Sequence, residues 1–173
     1  MENASTGQTR VPLSRALEQD HREIDEVIKR CADGSALDAD ERGALKRAVD
    51  ELRRHIYAEE ELLFPPLRLA GMTGPILVML REHGQMWPLL DTLDHGLAEG
   101  VDSDLLRAAC HQLFVLLQHH NPKEEQIIYP ELDRAVGPTV SVDVQEFFDA
   151  GQVPAGWICH FLRAGTGRLA HPG

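Results

Sequence analysis

Apolar residues recur every three or four positions along four long segments of the chain, while apolar and polar residues nowhere alternate long enough to predict a sheet. The first apolar stripe runs from Leu13 to Cys31 and the second from Leu45 to Leu63. The third runs from Ile76 to Leu97, and the fourth from Leu106 to Ile128. The pattern therefore predicts an all-α protein in which each helix buries one face.

Residues typical of helix ends separate these segments. Asp38 and Glu41 form a capping-box pattern before the second stripe, Pro65 follows that stripe, and Gly100 follows the third. Each helix would be about 30 Å long, and short connections favour antiparallel neighbours. We therefore predict an antiparallel up-down-up-down four-helix bundle.

This bundle is predicted to occupy residues 11–137, after a polar N-terminal tail at residues 1–10. Residues 138–173 mix aromatic residues, among them Phe147, Phe148 and Trp157, with glycines and prolines. We expect this short C-terminal extension to pack on the bundle or on a second subunit, which would make the protein a homodimer.

A histidine interrupts the apolar stripe of every predicted helix. These core-facing histidines are His21, His55, His83 and His120. The second and fourth helices carry HIYAEEELLFP and HNPKEEQIIYP, which align without gaps and share a histidine, two glutamates and a proline. In each motif a glutamate, Glu59 or Glu124, follows the histidine by four residues and so lies on the same helix face. The chain thus resembles a duplicated helical hairpin with converging metal donors.

Metal binding explains these six residues better than hydrogen bonding alone. A single buried histidine is often satisfied by a hydrogen bond, but a buried carboxylate without a cation costs several kcal/mol. If Glu59 and Glu124 both bridge, each of two ions receives two histidines and two carboxylate oxygens and keeps open positions. Imidazole and carboxylate donors without thiolate suit iron or manganese, and zinc also fits.

The motifs QDHREID, HIYAEEELLFP, LREHGQM and HHNPKEEQIIYP resemble the hemerythrin-like, or HHE cation-binding, domain over about residues 11–136. The resemblance implies a four-helix bundle with a non-haem di-iron centre. It implies that the four core-facing histidines bind two iron ions and that Glu59 and Glu124 bridge them. Members of this family bind dioxygen, sense oxygen or iron, or respond to nitric oxide and oxidative stress.

One position departs from the oxygen-carrying members of the family. They have a further histidine one turn after the third-helix ligand, where this chain has Trp87. Efficient reversible oxygen transport is therefore not expected, and His119 is a poor substitute because it points about 100° away from His120. Five acidic residues remain as further ligands or as partners that orient the imidazoles: Asp20, Asp25, Glu60, Glu82 and Glu125.

Two prolines lie close to predicted ligands. Pro122 removes the amide that would bond the carbonyl of Gln118, and Pro88 does the same to Gly84. A helix that broke after His120 would separate this histidine from Glu124. We therefore predict helices that are kinked but continuous.

Three functions are compatible with the sequence. The first is a di-iron protein that binds or senses dioxygen, nitric oxide, peroxide or iron, with no catalytic residues assigned. The second is a di-iron carboxylate oxidase or peroxidase, although a ferritin-like site needs two Glu-x-x-His motifs and the chain offers only Glu18 with His21. The third is a metal-free helical interaction module.

Composition limits the possible partners and the expected cellular location. A net charge of −11 disfavours nucleic acid and anionic lipid as partners, and the longest purely apolar run, Ile76 to Leu80, is far too short to cross a membrane. Three cysteines without CxxC spacing are typical of reduced thiols. We therefore expect a cytoplasmic protein whose partner is a small diatomic ligand or peroxide.

Overall fold

The computed structural model describes residues 12–34, 37–135, 144, 146–148 and 150–166 of the 173-residue chain. Every regular element in these residues is a helix, which confirms the predicted all-α class. The predicted tail at residues 1–10 lies outside the described residues, and so does the start of the extension at residues 138–143.

Four long α-helices and three short ones have defined bounds in the described residues, and residues 144, 146–148 and 150 are also helical. The long helices are α1 (Leu13–Asp33), α2 (Ala39–Ala58), α4 (Thr73–Glu99) and α5 (Ser103–Lys123). The short helices are α3 (Phe64–Leu69), α6 (Tyr129–Ala135) and α7 (His160–Thr166). Helix α1 packs against α2 and α5, and α4 packs against the same two helices.

The helix ends follow the local signals in the sequence. At the start of α2, the Asp38 carboxylate accepts the backbone N–H of Glu41, and the Glu41 carboxylate accepts that of Asp38, both at 2.9 Å. Gly100 ends α4 in the left-handed conformation, with φ of 66°, which a residue with a side chain rarely adopts. The predicted capping box is thus confirmed.

Two π-helical turns, which the sequence pattern did not predict, follow α2 and α5 at Glu59–Leu63 and Glu124–Ile128. The backbone N–H of Phe64 bonds the carbonyl of Glu59, and that of Tyr129 bonds Glu124, five residues back in each case. In each case the residue after the turn is followed by a proline, Pro65 or Pro130, which cannot donate a backbone hydrogen bond. Such turns are rare and often mark functional sites.

The apolar core is divided into two clusters. One contains the inner faces of α1 from Ile24 onwards, α2 up to Ile56, α4 from Met86 onwards and α5 up to Leu117. The other contains residues at the opposite end of the bundle, such as Leu17, Leu63, Leu80 and Ile128. Along each long helix, the core-facing histidine lies between residues of these two clusters. The histidines therefore form a polar layer between two apolar ones.

The described part of the extension packs on its own chain. Helix α7 lies against α4, where a Cβ on Gly84 would come within 2.6 Å of Phe161. Trp157 donates its indole N–H to Glu61 at 2.8 Å, and its ring lies 5.2 Å from that of Trp87. The predicted homodimer stays a prediction.

No helix in the described residues is both long enough and apolar enough to cross a bilayer. The three cysteines, Cys31, Cys110 and Cys159, are buried and form no disulfide.

Candidate metal centre

The structure brings all six predicted ligand side chains together at the centre of the bundle. Their donor atoms form two groups, and within each group all donor atoms lie within 4.8 Å of one another. Both groups contain Glu59 and Glu124. His21 and His55 complete the first group, and His83 and His120 complete the second. All six residues are buried. Either group could hold a metal ion; that these residues do so stays a prediction.

Each glutamate presents one oxygen to each group. In the first group, Glu59 Oε1 lies 3.3 Å from His55 Nε2, and Glu124 Oε2 lies 3.3 Å from His21 Nε2. In the second, Glu59 Oε2 lies 3.3 Å from His83 Nε2, and Glu124 Oε1 lies 3.1 Å from His120 Nε2. Two carboxylates that each face two groups of imidazoles are suited to bridging a pair of cations.

Three buried polar atoms of the second group make no hydrogen bond in the structure. They are Glu59 Oε2, Glu124 Oε1 and His83 Nε2. Protein interiors seldom leave such atoms unpaired, because each loses its hydration on burial. A cation placed among these three atoms would satisfy all of them, so the residues present fit a metal ion.

A carboxylate orients each of the four imidazoles from behind. The Nδ1 atoms contact Glu125 for His21 at 3.0 Å, Asp20 for His55 at 3.4 Å, Glu60 for His83 at 2.9 Å and Glu82 for His120 at 3.0 Å. With Nδ1 held in this way, every Nε2 faces the centre, as in known histidine metal sites.

These outer contacts repeat between the two halves of the chain. The acidic residue before the histidine of α1, Asp20, holds the histidine of α2, and Glu82 before the histidine of α4 holds that of α5. The second glutamate of each HxxxEE motif, Glu60 or Glu125, holds a histidine on a different helix. Asp25, also predicted as an orienting residue, instead accepts hydrogen bonds from Asn121 and Gln118.

The pKa values at the site show that buried Glu59 depends on positive charge on the neighbouring imidazoles. Burial would raise the pKa of Glu59, and Glu124 would raise it further, but His55 and His83 outweigh both and lower it to about 2. Burial lowers the pKa of His55 and His83, yet their carboxylate neighbours raise each to about 10. Without a cation, protons on the imidazoles therefore balance the carboxylates. A bound metal ion would replace those protons.

Tyr129 is a residue of the site that the sequence reasoning missed. In a regular α-helix, Tyr129 would point about 140° away from Glu124, since it lies five residues further along. Because of the π turn, Tyr129 lies on the same side of the helix as Glu124, and its buried hydroxyl enters the site. The shared aromatic residue of the two motifs was the only sequence signal for this position.

The structure also shows where the two prolines near the ligands, Trp87, His119 and Glu18 lie. Helix α4 continues through Pro88 and α5 through Pro122, and Glu124 is buried, which confirms the continuous helices. Trp87 is buried under Arg53, whose guanidinium carbon lies 4.5 Å from the ring centroid. His119 is exposed and provides no fifth nitrogen. Glu18 faces Arg22 rather than the centre, which disfavours a ferritin-like arrangement.

The comparisons with known proteins agree with this geometry. The family model of the hemerythrin HHE cation-binding domain matches residues 13–132, which include all six donor residues and Tyr129. Neither the curated proteins nor the solved structures contain a significant match to the chain.

Proposed function

Since the chain belongs to the hemerythrin HHE cation-binding family, we propose that it is a non-haem di-iron protein that binds or senses a small ligand. The ligand would be dioxygen, nitric oxide or peroxide, or the protein would report the availability of iron itself. We include in the proposal the antiparallel up-down-up-down order of α1, α2, α4 and α5, which their pairwise packing supports.

The observation that carries the proposal is that the two donor groups share their carboxylates. Glu59 and Glu124 belong to both groups, and each group adds two histidines of its own. A single ion would leave either the His21 group or the His83 group without a cation. Two ions use every Nε2 and every carboxylate oxygen at the centre.

Iron suits the donor set better than the other metals that also fit. Four imidazoles and two carboxylates are of intermediate and hard character, and no thiolate lies in either group. Four protein donors per ion leave positions open on a six-coordinate metal, as a small ligand requires. Manganese and zinc are the alternatives that metal analysis would distinguish.

The chain's own residues would hold and shield such a centre. When bound, a pair of iron ions supplies open coordination positions and one-electron chemistry. The carboxylates of Glu59 and Glu124 offset the charge of the ions, and the outer carboxylates hold the imidazoles in one orientation. The two apolar clusters lie above and below this layer and restrict the entry of water.

Metal analysis combined with spectroscopy tests the proposal. Protein loaded anaerobically with ferrous iron and then oxidised is expected to contain a pair of irons per chain and to absorb in the near ultraviolet through ligand-to-iron charge transfer. The spectrum should change on addition of nitric oxide or dioxygen. Zinc as the sole bound metal, or no bound iron, would contradict the proposal. Peroxide turnover faster than that of free iron would favour the enzymatic alternative.

Glu82→Gln provides a test of the outer carboxylates. Glu82 contacts both His120 Nδ1 and Lys123 Nζ, and these neighbours overcome the effect of burial and lower its pKa to about 2. We expect the substitution to lower iron affinity by roughly 10- to 100-fold, measured by competition with a chelator. Glu26→Gln, on the exposed face of α1, is the matched control and should retain wild-type affinity. Equal affinities in the two variants would show that Glu82 does not orient a ligand.

A further inference from the structure

The hydroxyl oxygen of Tyr129 lies within hydrogen-bond distance of all four donor residues of the first group. It is 2.8 Å from Glu59 Oε1, 3.0 Å from His21 Nε2, 3.1 Å from His55 Nε2 and 3.3 Å from Glu124 Oε2. The side chain is fully buried. An orienting residue would contact one ligand from behind, as the outer carboxylates do, whereas this oxygen faces the ligands from within the site.

The four distances are those expected between donors of one ion. Two donors bound at right angles, with bonds of about 2.1 Å, lie about 3.0 Å apart. The Tyr129 oxygen has this separation from two nitrogens and two carboxylate oxygens at once. It therefore occupies the place of a fifth donor beside the four predicted from the sequence.

We infer that Tyr129 binds the ion of the first group as a phenolate, a role that rests on the proposed di-iron function. On binding, the O–H bond breaks, the oxygen keeps the electron pair and donates it to the ion, and the proton leaves to solvent. In the metal-free protein, burial and the two glutamates hold the pKa of Tyr129 well above its usual range. A bound cation reverses that field, as it does for coordinated thiols and water.

The second group has no such donor, although the internal repeat provides the same position. Phe64 corresponds to Tyr129 in the aligned motifs. Its ring stacks on His83 at a centroid distance of 5.9 Å, just as the Tyr129 ring stacks on His21 at 5.5 Å. The two halves therefore differ here by one oxygen atom, and the three unpaired polar atoms all belong to the half that lacks it.

This difference leaves more open positions on the His83–His120 side, two on a six-coordinate ion against one on the side of Tyr129. The first group then offers five protein donors and the second only four. A surface cavity of about 480 Å³ lies beside the second group, lined by Glu60, Phe64, Leu80 and His160 among others. Glu60 and Phe64 both contact His83, so a small ligand would approach the centre from this cavity.

Ferric protein provides a direct readout, because phenolate bound to ferric iron gives a visible charge-transfer band and characteristic resonance Raman modes. The chain has two tyrosines, and Tyr57 stacks on Phe147 away from the site, so Tyr57→Phe is the matched control. We expect the visible band in the wild type and in Tyr57→Phe, and its loss in Tyr129→Phe. Iron content is measured in each sample.

The outcomes separate the two proposals. Absence of bound iron would contradict the di-iron function, whereas bound iron without a phenolate band in the wild type would overturn the role of Tyr129 alone. A band that persists in Tyr129→Phe would also overturn it. If Tyr129→Phe does not fold, Tyr57→Phe still decides, because any tyrosine-derived Raman mode in that variant must come from Tyr129.

Phe64→Tyr tests the difference between the two groups. We expect the added hydroxyl to fill the corresponding position beside His83 and to increase the intensity of the phenolate band. It should also reduce the spectral change that azide, added as a small anion that occupies open positions on ferric iron, causes in the wild type. An unchanged response to azide, with the added band present, would show that the additional open position is not on the His83–His120 side.

Discussion

Glu59→Gln is expected to remove both metal ions rather than one, because each oxygen of Glu59 faces a different donor group. The substitution removes half of the carboxylate charge at the centre and turns an amide N–H₂ towards one of the cations. The loss of iron affinity should therefore exceed the roughly 10- to 100-fold cost of losing an outer partner. Elemental analysis after iron loading and gel filtration measures the result.

The same run of three glutamates supplies the matched control. Glu61→Gln changes the same residue type two positions away, but the Glu61 carboxylate lies outside the centre and accepts hydrogen bonds from Trp157 and Arg163. This variant should retain the iron content of the wild type. Circular dichroism should show equal helix content in both variants. Full iron occupancy in Glu59→Gln would contradict the bridging role.

Helical periodicity was sufficient to predict that the six candidate donor residues face the core, and their role as metal ligands stays a prediction. A histidine or glutamate within an apolar stripe must point into the core, and the i, i+4 relation places His55 and Glu59 on one face. Because His120 and Glu124 repeat this relation in register, the sequence also indicated that the two pairs face each other. These arguments need only a regular helix up to the second ligand, and α2 and α5 are regular to that point.

The place of Tyr129 in the site could not be predicted, because the helix is not a regular α-helix between Glu124 and Tyr129. Counting at 3.6 residues per turn directs Tyr129 away from Glu124, and only the π turn brings them together. The partners of the outer carboxylates were equally inaccessible. Glu60 orients a histidine on α4 and Glu125 one on α1, contacts that depend on how the helices pack rather than on spacing along one helix.

The position of Trp87 shows a different limit. The sequence indicated that a histidine of the oxygen carriers was missing at this place, but not what the tryptophan does instead. Its ring packs between Arg53 and Trp157, and so connects α2 and α4 to the C-terminal segment. The position of an aromatic residue in an apolar stripe shows only that its side chain faces the core. It does not show whether that side chain lines the metal centre or packs against partners elsewhere.

Removal of the metal ions is expected to lower the thermal stability markedly. Metal binds the folded site but not the unfolded chain, so free metal at about 1,000 times its Kd adds about 4 kcal/mol per bound ion to the free energy of unfolding. For a chain of this size, that corresponds to a fall in Tm of roughly 8 to 16 °C for each ion removed. Differential scanning calorimetry of iron-loaded and metal-free protein measures the shift.

The metal-free protein should nevertheless remain folded at neutral pH. Glu59, together with Asp20 for His55 and Glu60 for His83, raises the pKa of these two imidazoles against the effect of burial to about 10, so bound protons replace part of the missing positive charge. Glu59→Gln, which we expect to bind no iron, is the control and should show no change in Tm when iron is added. An equal Tm for loaded and metal-free wild type, with metal removal verified by elemental analysis, would mean that the ions do not stabilise this centre.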